Sequence, residues 1–280
     1  MDLLHLALGR EAVVPRVLGP AESGGRTVGG AVTGPGTGDN AAAALGLGLA
    51  RGEVAVSLGT SGAVFAATDE PTHDGTGIVA GFADATGGQL PLACTLNAAR
   101  VLTAAATMLG TDLAGLDRLA LQGDPDAGGL TLLPYLDGER TPDLPEASGS
   151  LHGMRRASMT PANLARAAVL GMLCGLADAL DVMRRNGVPA ERVVLIGGAS
   201  KSQAVRAAAS DIFGMPAVVP AEAEYVALGA ARQAAWVIGC ESAPPTWKRD
   251  VIAETEPSGQ DWGAVVRERY DQARRSAYGI

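Results

Sequence analysis

A chain of 280 residues that is 47% hydrophobic but only 4% aromatic must build its core from Ala, Leu and Val, and its length suits one large domain or one and a half smaller ones. A formal charge of −8 argues against nucleic acid and against anionic membrane surfaces as partners. The 38 glycines, set among many alanines, suggest a close-packed α/β protein.

Residues 1–10 read as the end of a helix, and 13–35, rich in Gly and Pro, as irregular chain with short strands. Residues 40–49 read as a helix, with Gly46 and Gly48 as close-packing positions. Val54, Ala55 and Val56 form a buried strand, 57–62 the tight turn that ends it, and 63–68 a strand antiparallel to it. Two more strands, at 78–83 and 90–95, flank Thr86-Gly87-Gly88, a hairpin signal. Helices are expected at 96–109 and 113–121, then a strand at 131–133 and a loop at 134–142. Thr160-Pro161 opens a long helix that stops near Gly187 and is apolar nearly all round, hence buried. A parallel strand at 192–196, a glycine turn at 197–200, a helix at 202–213, a strand at 217–219 and a helix at 224–238 follow. Residues 247–257 read as tail and 262–278 as an amphipathic closing helix. Hairpins followed by alternating helices and strands make an α/β pattern.

Chemistry is concentrated between residues 34 and 62. Asp39 stands between a glycine-rich turn and a run of alanines. Glycines 59 and 62 are expected at positive φ, bringing backbone N–H groups close to a ligand. Ser57, Thr60 and Ser61 add hydroxyl donors, and such a nest suits phosphate oxygens. A carboxylate beside a phosphate cradle suits phosphoryl transfer to a hydroxyl. A second glycine turn, Gly197-Gly198-Ala199-Ser200, also follows a short apolar strand, where ligands of α/β sheets commonly bind. One opening shared by Asp39 and both turns is the expectation. Each turn taken alone reads more often as plain structure than as a site.

Walker A, Gly-x-Gly-x-x-Gly, His-Glu-x-x-His and Gly-x-Ser-x-Gly patterns are all absent, which removes the main support for P-loop, dinucleotide, zincin and hydrolase readings. His5, His73 and His152 lie far apart and read as solvated loop residues, so no metal cluster is expected. Cys94, Cys174 and Cys240 read as small buried thiols of a reducing cytoplasm. The start lacks a signal-peptide pattern, and the apolar run 167–177 is too short to span a bilayer.

Several stretches together resemble the FGGY carbohydrate kinases, in the order that family shows them. They are Gly38-Asp39-Asn40 with its alanines, residues 57–62, Leu-Pro-Tyr-Leu-Asp-Gly-Glu-Arg-Thr-Pro at 133–142, residues 195–202 and Glu-Tyr-Val-Ala-Leu-Gly-Ala-Ala-Arg at 224–232. Residues 149–154 and 163–167 resemble the family's second signature, although Leu170 stands where that signature usually has an acidic residue or Gln. In detail the stretches are most similar to the xylulokinase branch.

The resemblance implies a ribonuclease-H/actin-like ATPase domain, the C-terminal domain of such kinases. It divides the chain into 1–47 as a remnant of the N-terminal domain, 48–245 as the C-terminal domain, and 246–280 as tail and closing helix. It implies Asp39 as catalytic base. Ser57, Gly59, Thr60 and Ser61 match the phosphate loop, and Gly197, Gly198, Ala199 and Ser202 the adenosine side. ATP, Mg²⁺ and a ketopentose are the implied cofactors and substrate, with D-xylulose 5-phosphate as product and the metal-holding acid lying in the missing domain. The loop at Gly138, Glu139, Arg140 and Thr141 has no assigned role, a structural ion pair being its plainest reading. A non-catalytic nucleotide-binding remnant is the alternative. Association of copies is expected through apolar surface near the start of the chain.

Overall fold

In the computed structural model, which describes residues 2–280, the chain opens with α1 (Asp2–Leu8), a short hairpin of β1 (Gly25–Arg26) and β2 (Val32–Thr33), and α2 (Asp39–Leu47). β3 (Glu53–Leu58), β4 (Gly62–Ala66), β5 (Ala80–Ala83) and β6 (Gln89–Thr95) follow. Then come α3 (Ala99–Met108), α4 (Leu113–Gln122) and a small antiparallel pair, β7 (Thr131–Leu133) and β8 (Ser150–His152). The rest runs α5 (Pro161–Arg185), β9 (Arg192–Ile196), α6 (Gln203–Phe213), β10 (Ala217–Pro220), α7 (Tyr225–Gly239), β11 (Val251–Thr255) and α8 (Trp262–Tyr278). The main sheet has the order β11-β10-β9-β3-β4-β6-β5, with β3, β9 and β10 parallel and the outer pairings antiparallel.

Strand alternation divides β3 between two cores. Val54, Val56 and Leu58 face a large cluster built around α5, whereas Ala55 joins Phe65 and Val194 in a smaller one with the alanines of α2. α5 earns its central place through sequence. Thr160 accepts the Asn163 amide as N-cap, Pro161 takes the first turn, and residues 165–177 are buried without a break.

α2 is seated by absence of side chain. A Cβ on Gly46 would overlap the Tyr225 carbonyl, and one on Gly229 the Ala42 carbonyl, so α2 and α7 cross in backbone contact. Gly48 then ends α2 at φ 61. Arg232 Nη1 donates to the Leu45 carbonyl at 2.7 Å and Arg249 Nη1 to that of Leu47 at 3.4 Å, two cations at the negative end of the helix.

Three expectations change. Residues 247–257 are not plain tail, because β11 extends the sheet beside β10. Its Val251-Ile252-Ala253 run is short and set among charged residues, and Val251 and Ile252 stay exposed, so the stretch does not read as a core strand. β8 was not foreseen, being three half-buried residues paired only with β7. α3 starts at Ala99 rather than 96, because the Leu96 amide donates to Glu139 Oε1 at 2.6 Å and the Asn97 carboxamide donates to the Gly138 carbonyl at 2.7 Å. α8 does close the core: Tyr270 is fully buried with its hydroxyl 3.3 Å from that of Tyr135, and Arg267 and Arg274 both bind the Asp178 carboxylate of α5. Among the described residues no helix is long and apolar enough to cross a membrane.

Glu53, at the start of β3, binds Arg249 through both oxygens, at 2.6 and 3.0 Å, and takes the Ala50 amide at 3.1 Å. Burial pushes this carboxyl up, but the Arg249 and Ala50 hydrogen bonds outweigh it and hold its pKa below the usual range. Its contribution is therefore fully present above the unfolded value of about 4.3 and fades as pH falls through the lower folded value. Glu53→Gln is expected to cost about 2 kcal/mol at pH 7, with the difference from wild type shrinking toward zero well below pH 4, as followed by thermal unfolding across pH.

Candidate active site

The parallel ladder sets Ser57 opposite Ile196, so β3 and β9 end at one edge of the sheet and release their turns side by side. Gly197 has φ 89, and a Cβ there would meet the Leu58 carbonyl carbon at 2.8 Å and its oxygen at 2.9 Å. Only glycine fits this approach. Glycines 59 and 62, expected at positive φ, do not take it. Gly62 is small for packing instead, since a Cβ would meet Leu176 and the Thr95 hydroxyl at 2.5 Å.

The loop 59–61 rests on the start of α3. The Ala99 amide donates to the Gly59 carbonyl at 2.8 Å, and the Ala98 amide and Arg100 Nε to that of Thr60 at 3.4 and 3.3 Å. The carbonyls are thus taken, while among the described residues the Gly59 and Thr60 amides enter none of the loop hydrogen bonds.

A cavity of about 700 Å³ opens between the two turns. Gly59, Thr60, Gly198, Ala199, Lys201 and Ser202 form one wall, and Leu102, Leu113, Leu116 and Val169 an apolar wall facing it. Five of the eight residues expected around a nucleotide therefore meet here. Gly197 supports the wall through Leu58, whereas Ser57 and Ser61 do not line this cavity. The Ser202 hydroxyl is already committed, donating to Asp117 and accepting from the Val205 amide at 3.1 Å. Asp117 itself, which sequence reading missed, spends its carboxylate on the start of α6, taking the Ala204 amide at 3.0 Å and the Gln203 amide at 3.2 Å. Nothing in a lone Asp on an amphipathic helix signals such a cap. Lys201, also unassigned from sequence, carries a charge to the cavity rim and pairs with Glu222 at 2.6 Å.

Asp39 is exposed and opens α2, where the positive end of the helix dipole favours a carboxylate. Its Oδ1 accepts the Asn40 amide at 2.8 Å and the Asn40 carboxamide at 3.1 Å, leaving Oδ2 without a protein donor among the described residues. It lines a second cavity of about 520 Å³, together with residues 35–41, 82–85 and Gln233. The two cavities share no lining residue, which corrects the expectation of one opening. The physical reason lies in β3: Leu58 faces the α5 core, while α2 packs on the other face of the sheet.

Among the described residues, the 138–141 loop holds no ion pair at Glu139. Its buried carboxylate accepts the Leu96 and Arg140 amides and the Asn97 carboxamide, and Arg140 stays exposed. The ion pair of this region is Arg100 with Asp137 at 2.7 Å. Cys174 is buried and its thiol is pushed up to about 12 by burial, but Cys240 is exposed, contrary to expectation. His152 lies in β8, its ring nitrogen 2.8 Å from the Ser150 hydroxyl, rather than in a solvated loop. Among the described residues no three His, Cys, Asp or Glu side chains converge.

The model of the FGGY family of carbohydrate kinases, C-terminal domain, matches residues 54–238. The chain is 44% identical over 247 residues to xylulose kinase of Streptomyces coelicolor, spanning 85% of this chain and 50% of that protein. It is 45% identical over 236 residues to xylulose kinase of Streptomyces rubiginosus, spanning 81% and 47%. The crystal structure of xylulose kinase from Bifidobacterium adolescentis matches with a TM-score of 0.83 at 47% identity, over 93% of this chain and 53% of that one. The chain thus spans about half the length of the curated relatives it matches.

The two adjacent glycines of the second turn supply a paired test. Gly197→Ala meets both an unfavourable φ and the Leu58 backbone, and is expected to cost roughly 2 kcal/mol or more. Gly198→Ala points into open space and is expected to stay within about 0.5 kcal/mol of wild type. Denaturant unfolding of the two variants measures the difference.

Proposed function

Because the chain belongs to the FGGY family of carbohydrate kinases, we propose that it carries the nucleotide-binding part and the catalytic base of an ATP-dependent sugar kinase of xylulokinase type, converting D-xylulose to D-xylulose 5-phosphate. The observation that carries this reading is the cavity bounded by both glycine turns. Its free Gly59 and Thr60 amides suit phosphate oxygens, the side at Gly198 and Ala199 suits the nucleoside, and its apolar wall suits a flat base. ATP supplies the phosphoryl group.

The base in this reading is Asp39. With Oδ1 held by Asn40, Oδ2 is free to accept the proton of the sugar hydroxyl as that oxygen bonds to the γ-phosphorus of ATP and the bond from phosphorus to the departing ADP oxygen breaks. Donors aimed at the transferred group offset the charge it carries. We assign residues 1–47 to the N-terminal domain of the longer fold, 48–245 to the C-terminal domain, and 246–280 to its closing segment. Completion of one cleft over both cavities belongs to the remaining half of the relatives' length. Leu3, Leu6, Val13, Val17 and Val28 leave apolar side chains exposed near the start, a surface that suits association of copies.

The separation of the two cavities favours a second reading, a module that binds nucleotide without turnover. A coupled assay of ADP release, with and without D-xylulose, separates the readings. Sugar-dependent release supports the kinase, and nucleotide binding without it supports the module. In the active protein Asp39→Asn is expected to lower kcat at least about 100-fold while leaving nucleotide affinity nearly unchanged. Retained turnover in that variant removes Asp39 from the mechanism.

A further inference from the structure

Gln233 lies on the face of α7 that seats α2 and is only 5% exposed. The side-chain hydrogen bonds of this helix are made by Tyr225, Arg232 and Trp236. Among the described residues, no protein group pairs with the Gln233 carboxamide. It lines the Asp39 cavity, and Gly34 lies against it, since a Cβ there would stand 3.7 Å from Oε1. Its carboxamide atoms are not sealed from solvent, so they open onto that cavity, where water or a bound molecule supplies the partner the protein does not. Packing alone would be served as well by a leucine of similar size.

The polar groups sharing the cavity narrow what that partner is. Asp84 spends its carboxylate on Thr86 and Gly88. Asp39 Oδ2, the Thr37 hydroxyl and Asn40 Oδ1 remain in the cavity that Gln233 lines. A carboxamide offers two donors and an acceptor and no charge, which matches adjacent hydroxyls rather than an anion or a cation. We propose that Gln233 binds the sugar in the Asp39 cavity, donating from Nε2 to one hydroxyl oxygen and accepting at Oε1 from another hydroxyl. This rests on the sugar-kinase reading above.

Calorimetric titration of the 280-residue chain with D-xylulose tests it, using wild type and Gln233→Leu, with thermal unfolding of both. The variant is expected to bind about tenfold more weakly and to unfold at the wild-type temperature or above it. Unchanged affinity overturns the proposal, as does weaker binding accompanied by a lower unfolding temperature, the mark of a packing residue. Sugar-dependent ADP release is followed separately. Gln233-dependent binding without turnover keeps this proposal and removes phosphoryl transfer. Turnover with unchanged affinity in the variant removes only this proposal, and absence of sugar binding by the wild type removes both.

Discussion

The parallel pairing of β3 with β9 is the constraint on which the cavity between the two glycine turns depends. Because Ser57 and Ile196 are partners in one ladder, two turns more than a hundred residues apart in sequence leave the sheet at the same edge. Gly197 then lies directly on the backbone of Leu58. A side chain there would push the second turn away from the first and open the wall between them. The cavity is therefore a product of register and of one missing methyl group, not of any charged cluster.

In the proposed reading, an acidic chain that is to receive an anionic nucleotide must supply its attraction locally. α3 takes up the carbonyls of the first turn and leaves its amides free, and Lys201, paired with Glu222, stands at the rim. Asp117, the carboxylate nearest to being a liability in this cavity, is occupied by the hydroxyl and amides at the start of α6. On the opposite face of the sheet the same economy of side chain serves α2. Gly46 and Gly229 let two helices touch through their backbones, and arginines 232 and 249 close the far end of α2. What results is a firmly held helix that presents Asp39 at its free end.

Most elements were legible because their signals are local. The alanines after Asp39, the Thr160-Pro161 start of α5 and the apolar strands around Val54 and Val194 each declare their structure within a few residues. Motif order identified the fold family, and five of the residues that the resemblance set around a nucleotide line one cavity. What escaped was set by distant partners. β11 and β8 are short, partly exposed strands that exist because a neighbour pairs with them. The roles of Gly62, Asp117 and Glu139 depend on contacts across tens of residues. The positions of the cavities depended on which face of β3 each helix covers, and a motif read along the chain carries no record of that.

Amide chemical shifts recorded while a non-hydrolysable ATP analogue is titrated into the chain test the central claim most directly. Two turns that form one nucleotide cavity predict saturable shifts at Gly59 and Thr60 together with Gly198 and Ala199, all following a single binding curve. Shifts confined to one turn, or absent from both while the analogue binds elsewhere, would contradict it.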